Sequence, residues 1–274
     1  MKFPFHKSVK LLERWSNGLI AIRKPANVLC HPHPTTKSKY PSILIDTPYD
    51  QIGEHFVHEQ EDGVRTSLWL LHRLDLGTSG VLLLCTQPTI AAKVKTLFRH
   101  RLVTKVYKAL CFCREGERQP KELPQSEVWR DLLLQKGPKG EQRTHTAETL
   151  FLSSTPVGER MRLLSLQPKT GFQHQLRVQC SLRHLHIVGD DKYGAFHLNK
   201  LKGFGTLTGK RLMLHSESIS FQLYGQNYHA HAPLEDEKFL PLPADLDRAE
   251  WEYNEVKAAE KSGKDAKEKE QGGG

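Results

Sequence analysis

Residues 71–84 read Leu71-His72-Arg73-Leu74-Asp75-Leu76-Gly77-Thr78-Ser79-Gly80-Val81-Leu82-Leu83-Leu84. The last four form a continuous apolar run, the pattern of a strand buried on both faces. The preceding stretch, with Gly77 and Gly80, cannot comfortably be helix, and packing gains nothing from His, Arg and Asp within four positions. A polar turn entering a buried strand is how a fold holds a carboxylate against its core. Asp75 in such a turn is partly desolvated and needs a cation or hydrogen-bond donors beside it. The plainer alternative is an Asp that caps the turn.

Leu166-Gln167-Pro168-Lys169-Thr170-Gly171-Phe172-Gln173-His174-Gln175-Leu176-Arg177-Val178 offers that cation. It runs from a strand through a turn into a helix expected over Gly171–Arg183, with Leu176 and Cys180 four apart on one face. His174 and Arg177, three apart, share a face. An Arg there can hold a carboxylate bidentately, or it can form an ordinary surface ion pair.

Further out, Leu19-Ile20-Ala21-Ile22 reads as a strand stopped by a turn at Lys24-Pro25. Pro88 opens a helix with Ile90, Ala91, Val94, Leu97 and Phe98 on its apolar face. Leu102–Phe112 and Met161–Leu166 are strand-like. Residues 31–66, with Pro32, Pro34, Pro41 and Pro48, look like a long surface excursion. Intermixed strands and helices predict an α+β fold with a mixed, largely antiparallel sheet flanked by helices and loops. No internal repeat is visible. One domain is expected over residues 9–248, after a short N-terminal extension (1–8) and before a charged, disordered tail (249–274).

The 274 residues carry 40 Lys and Arg against 31 Asp and Glu, a net +9. The tail holds 7 acidic and 5 basic residues, so the body has 35 against 24, or +11. A basic body points to a polyanionic partner such as RNA, because phosphate contacts release counterions; a solvated basic surface is the bland alternative. No apolar run approaches the ~18 residues of a spanning helix, and there is no signal-peptide core, so no membrane partner is expected. Five irregularly spaced Cys suggest reduced thiols, with the cytoplasm as default compartment and an organelle allowed by the basic start Met1–Lys10.

Three features are set aside. Gly203–Arg211 lacks the Gly spacing of a phosphate loop and the Ser or Thr after its Lys. Cys111-Phe112-Cys113 has a single spacer and no second pair, so it reads as buried thiols, not zinc ligands. His31, His33, His55 and His58 have no helical ligand spacing, and no metal is expected.

Taken in order, the motifs resemble the RluA-type family of RNA pseudouridine synthases. The stretch His72–Gly80 matches the family's H-R-L-D-x-x-T-S-G at every fixed position. Arg23-Lys24-Pro25-Ala26-Asn27 with His31-Pro32 is similar to its K-P-x-G…H-P element, Asn27 standing for Gly. Lys105-Val106-Tyr107 matches K-x-Y, and Thr170-Gly171 to Arg177-Val178 matches T-G-R-T-H-Q-[IL]-R-V. Ile187-Val188-Gly189-Asp190 with Tyr193-Gly194 is similar to I-x-G-D-x-x-Y-G, and Leu214-His215 and Ala232-Pro233-Leu234 to the closing pieces. The chain departs at Phe172-Gln173, in place of Arg-Thr, at Gln179 in place of His, and at Ser216 in place of Ala.

The resemblance implies an isomerase that breaks the bond between ribose and uracil nitrogen, turns the base and rejoins it through carbon, with no cofactor. Asp75 corresponds to the essential carboxylate, acting as nucleophile or base, Arg177 to its paired Arg, and Tyr107 to the Tyr against the uracil. Arg73 corresponds to the wedge that fills the place of the extruded base. His72, Lys105 and His174 are further RNA-contact or base-flipping candidates. The expected partner is rRNA or tRNA, bound by a monomer without the small N-terminal RNA-binding domain of many relatives. Two rivals remain in view: an inactive RNA-binding or ribosome-assembly factor of the same fold, and a glycosidase-like hydrolase of free nucleosides. Intact Asp75, Tyr107 and Arg177 argue against the first and the basic body against the second.

Overall fold

The computed structural model describes residues 3–32, 42–60, 63–112, 126–136, 140–157, 161–194 and 211–234. In chain order its elements are β1 (Lys10–Arg14), β2 (Leu19–Lys24), β3 (Tyr49–Asp50), β4 (His55–Glu59), β5 (Arg65–Leu70), β6 (Ser79–Cys85), α1 (Pro88–Arg99) and β7 (Thr104–Phe112). Then come β8 (Val128–Lys136), β9 (Gln142–Val157), β10 (Met161–Pro168), α2 (Gln175–Leu182), β11 (Leu214–Leu223) and β12 (Gln226–His231). The strands join one sheet in the order β3-β4-β5-β6-β11-β7-β10-β9-β8, with β2 also on β6, β1 on β2 and β12 on β11. The β6–β11 pair is parallel and the other pairings are antiparallel. The sheet is therefore mixed and largely antiparallel, and with two helices among the described residues the fold is α+β.

β6 is buried along its whole length because both of its faces are covered. Val81, Leu83 and Cys85 join a core with Ala91 and Val94 of α1, while Leu82 and Leu84 join another with Phe3, Leu44, Ile45 and Phe56. Alternation along the strand sends successive side chains to opposite cores, which is why the sequence shows no polar beat. Each such side chain contributes about 1.5–3 kcal/mol by its burial.

The edges of β6 position the site. One edge carries β2, from Leu19 opposite Cys85 to Lys24 opposite Gly80. The other is split: Ser79 and Gly80 pair with His215 and Ser216 of β11, whereas Leu84 and Cys85 pair with Leu70 and Trp69 of β5. Gly80 has φ +112°, and a Cβ there would run into the Ser216 carbonyl, so only Gly permits this junction. Within the split, Leu71 N donates to Leu83 O, and Leu83 N donates to His72 Nε2. The loop carrying Asp75 leaves the sheet at this gap.

Local readings hold with shifted ends. α1 starts at Pro88 as expected. β7 starts at Thr104, two residues later than expected, after a turn with Arg101 at φ 61°. α2 begins at Gln175 instead of Gly171, because His174 sits at φ 57° and cannot extend the helix. The surface excursion expected over 31–66 is a correction: Leu44, Ile45 and Phe56 are fully buried, and β3, β4 and the start of β5 lie within it. Isolated apolar pairs between prolines show no period, and only packing beneath β6 recruits them. Of the expected N-terminal extension, Phe3 joins that same core and Phe5 bridges to Ile45. The tail, Cys113 and residues 203–210 lie outside the described residues.

Candidate active site

A cleft of ≈ 830 Å³ is lined by the loop from His72 to Thr78, by Lys105 and Tyr107 of β7, and by the turn from Pro168 to Arg177. The Asp75 turn closes through its backbone, Thr78 N donating to Asp75 O at 3.1 Å. The side chain is therefore not spent on capping. Asp75 Oδ2 lies 3.8 Å from Arg177 Nη1 and 3.9 Å from His174 Nε2, and the carboxylate is 28% exposed to the cleft. The sequence segments that held the carboxylate and the cation are thus brought together.

The guanidinium fork, however, goes elsewhere, which corrects the expected bidentate hold on Asp75. Arg177 donates from Nε to Asp190 Oδ2 at 2.8 Å and from Nη2 to Asp190 Oδ1 at 2.7 Å, with Asp191 Oδ1 at 3.2 Å. Asp190 is 1% exposed, and its Oδ1 also accepts from Lys192 N and Tyr193 N. Burial pushes the Asp190 carboxyl up, but the Arg177 fork and these backbone donors outweigh it and hold the group below the usual carboxylate range. The Arg177 cation stacks over the Tyr193 ring at 5.3 Å, and Tyr193 Oη is 3.2 Å from His174 Nδ1. Burial holds His174 below the usual imidazole range, more than the Asp75 charge raises it. At neutral pH its contact with Asp75 is that of a neutral ring.

Tyr107 reaches the cleft from β7, where its cross-strand partner is Ser216. Burial pushes its phenol up to about 12, with the Asp75 charge adding and the Ser216 hydroxyl opposing. The group is neutral at physiological pH: a ring face and a hydrogen-bond donor, not a base. Lys105 Nζ points to Thr170 O at 3.4 Å, and burial lowers its ammonium to about 8. Arg73 is exposed at the mouth, its Nη1 3.3 Å from His31 Nε2, and His31 stacks on Tyr49 at 5.1 Å. His72 lines the cleft, but its Nε2 is engaged by Leu83 N, its ring stacks on Phe98 at 4.9 Å, and burial lowers it to about 3. Its geometry is that of a neutral anchor for the loop.

Sequence reasoning gave no role to Lys24, Asp190 or Tyr193. Lys24 is fully buried on β2, and its Nζ donates to Pro25 O, Val28 O and Leu76 O at 2.9, 2.8 and 3.1 Å. Leu76 O also accepts from Asn27 N, so the residue after Asp75 is tied once to β2, the strand beside β6, and once to the turn that follows it. All three residues stood in quoted motifs, and burial is what distinguishes them. Among the described residues no group of His, Cys, Asp and Glu is arranged to hold a metal, and no helix is long and apolar enough to cross a membrane.

Among the described residues, the cleft thus sets its one lining carboxylate beside a buried guanidinium and a neutral phenol, below an exposed Arg, on a basic chain. Comparison with known proteins identifies the family. A family model described as RNA pseudouridylate synthase matches residues 18–182, more than half of the chain. The chain belongs to that family, and it is an RNA pseudouridine synthase, an isomerase. The tRNA pseudouridine synthase C of Vibrio cholerae is 31% identical over 214 residues, covering 74% of this chain and 81% of that protein. The protein of the same name from Haemophilus ducreyi is 33% identical over 218 residues, covering 74% and 81%. The solved structure of human RNA pseudouridylate synthase domain containing 4 shares the fold, with a TM-score of 0.58 at 22% identity over 87% of this chain and 93% of that one.

Proposed function

We propose that the chain isomerises a uridine in transfer RNA, with Asp75 carrying the first step. The observation behind the chemistry is that Asp75 alone joins a cleft-facing carboxylate to Arg177 and His174 in a turn closed by its own backbone. The relatives named tRNA pseudouridine synthase C support tRNA as the substrate. In the reaction the bond from ribose C1′ to uracil N1 breaks and a bond from C1′ to C5 forms. N1 gains a proton and C5 loses one. Asp75 acts at the ribose as nucleophile or at the base as proton acceptor. The neutral Tyr107 supplies a ring for the uracil to lie against and a donor for its polar edge. Arg73, exposed at the mouth and backed by His31, fills the stack left by the extruded uridine, and Lys105 and His174 border the entering nucleotide.

Cys30, Cys85 and Cys180 are buried free thiols, which suits a reducing compartment such as the cytoplasm. Purified enzyme incubated with tRNA transcripts carrying tritium at uracil C5 is expected to release tritium in proportion to pseudouridine formed. Release from ribosomal RNA fragments alone would overturn the tRNA reading.

A further inference from the structure

The turn before α2 carries a second aromatic feature that the chemistry does not use. Phe172 lines the cleft and is half-buried, and one side of its ring is covered by His145 of β9, centroids 4.8 Å apart and planes 23° from parallel. The turn is rigid: Phe172 N donates to Gln175 Oε1 at 3.2 Å, Thr170 Oγ1 to the same oxygen at 2.7 Å, and Gln135 Nε2 to Gln173 O at 3.5 Å. Gln175 Nε2 in turn donates to Glu148 O and Thr149 Oγ1, both at 3.0 Å. Lys169 is exposed in the same turn. A pre-fixed ring backed on one side, lining an RNA-binding cleft in a turn that also carries an exposed lysine, is what a stacking surface for a nucleobase requires.

We propose that Phe172, backed by His145, stacks the nucleobase next to the target uridine and so selects unpaired or loosely paired flanks. This rests on RNA being the substrate and adds a subsite to it. Stacking a base on an aromatic face is sequence-tolerant, so the subsite reads whether the neighbouring base is free to stack, and little of its identity. The sequence fits: where the family pattern has Arg, this chain has an aromatic residue.

The test is a cycle between protein and RNA, using a stem-loop that the wild-type enzyme demonstrably converts. Dissociation constants are measured for the intact RNA and for versions abasic on the 5′ or 3′ side of the target. Phe172→Ala is expected to bind the intact RNA about tenfold more weakly, and to bind one of the two abasic RNAs as the wild type does. Phe172→Leu should lose as much as Ala, and Phe172→Trp should bind as wild type. His145→Ala, a second route should Phe172→Ala misfold, should lose about threefold on intact RNA and nothing on the same abasic RNA. Equal fold-losses on all three RNAs, or full binding by Phe172→Leu, would overturn the subsite. Should wild type convert no tRNA, the substrate reading falls, and the same cycle is run on the RNA it does convert.

Discussion

Asp190 and Asp75 both reach Arg177, the first through a fork at 2.7 and 2.8 Å, the second at 3.8 Å. The forked carboxylate is 1% exposed and the distant one 28%. Burying a carboxylate costs several kcal/mol unless its lone pairs are filled, and Asp190 fills them with two guanidinium and two backbone donors. Asp75 is left beside one unforked nitrogen and a neutral imidazole. The difference separates an anchor from the carboxylate to which the proposed function gives the chemistry: the one with many partners is held by them, and the one with few is not.

The contrast breaks most sharply at Asp75. Asp75→Asn is expected to lower the single-turnover rate by roughly 10³-fold or more while leaving the melting temperature nearly unchanged, since the turn closes through its backbone. Tritium release from uracil C5 measures it, and near-normal release would remove Asp75 from the chemistry. Asp190→Ala should do the reverse in kind, costing about 3–5 kcal/mol of stability in denaturant unfolding because it takes the two acceptors of the fork away from a buried cation. A stability equal to that of Asp75→Asn would erase the distinction between the two carboxylates.

Arg177→Lys sharpens the same comparison. The charge stays, the fork is lost, and both carboxylates lose their common reference, so the rate should fall about 30-fold with a modest loss of stability. Rates equal to wild type would show that charge without orientation suffices. The smallest effect concerns the loop behind Asp75. His72 is lowered to about 3 in the fold against an ordinary 6.5, so the unfolded chain binds a proton that the native state refuses. Stability is therefore complete above pH 6.5 and is lost as pH falls from there toward 3. By pH 5 the loss reaches at most about 2 kcal/mol, less to the extent that cleft water reaches the ring. In His72→Gln this part of the acid limb should vanish, and parallel stability curves for the two proteins would refute it.

Sequence legibility followed locality. The strand at Val81–Leu84, the helix opened by Pro88, and the two loops bearing Asp75 and Arg177 are written in neighbouring residues, as apolar runs, breakers and charges out of place. The α+β class and the predominance of antiparallel pairing followed from the same signals. The buried segment around Leu44 and Phe56 was not legible, since its burial depends on a strand far away in sequence and not on its own period.

By itself, then, the sequence singled out Asp75 and Arg177 as candidates, because an Asp in a glycine-bearing turn before a buried strand and an Arg three residues after a His are local patterns. Only the tertiary structure decided how they are divided. Whether Arg177 spends its fork on Asp75 or on Asp190 depends on where the chain returns 13 residues later, and whether Lys24 is a surface charge or a buried clamp on Leu76 depends on a contact 52 residues away. Coulomb and hydrogen-bond energies change steeply over one ångström and with burial, and neither quantity exists until the distant segments are packed.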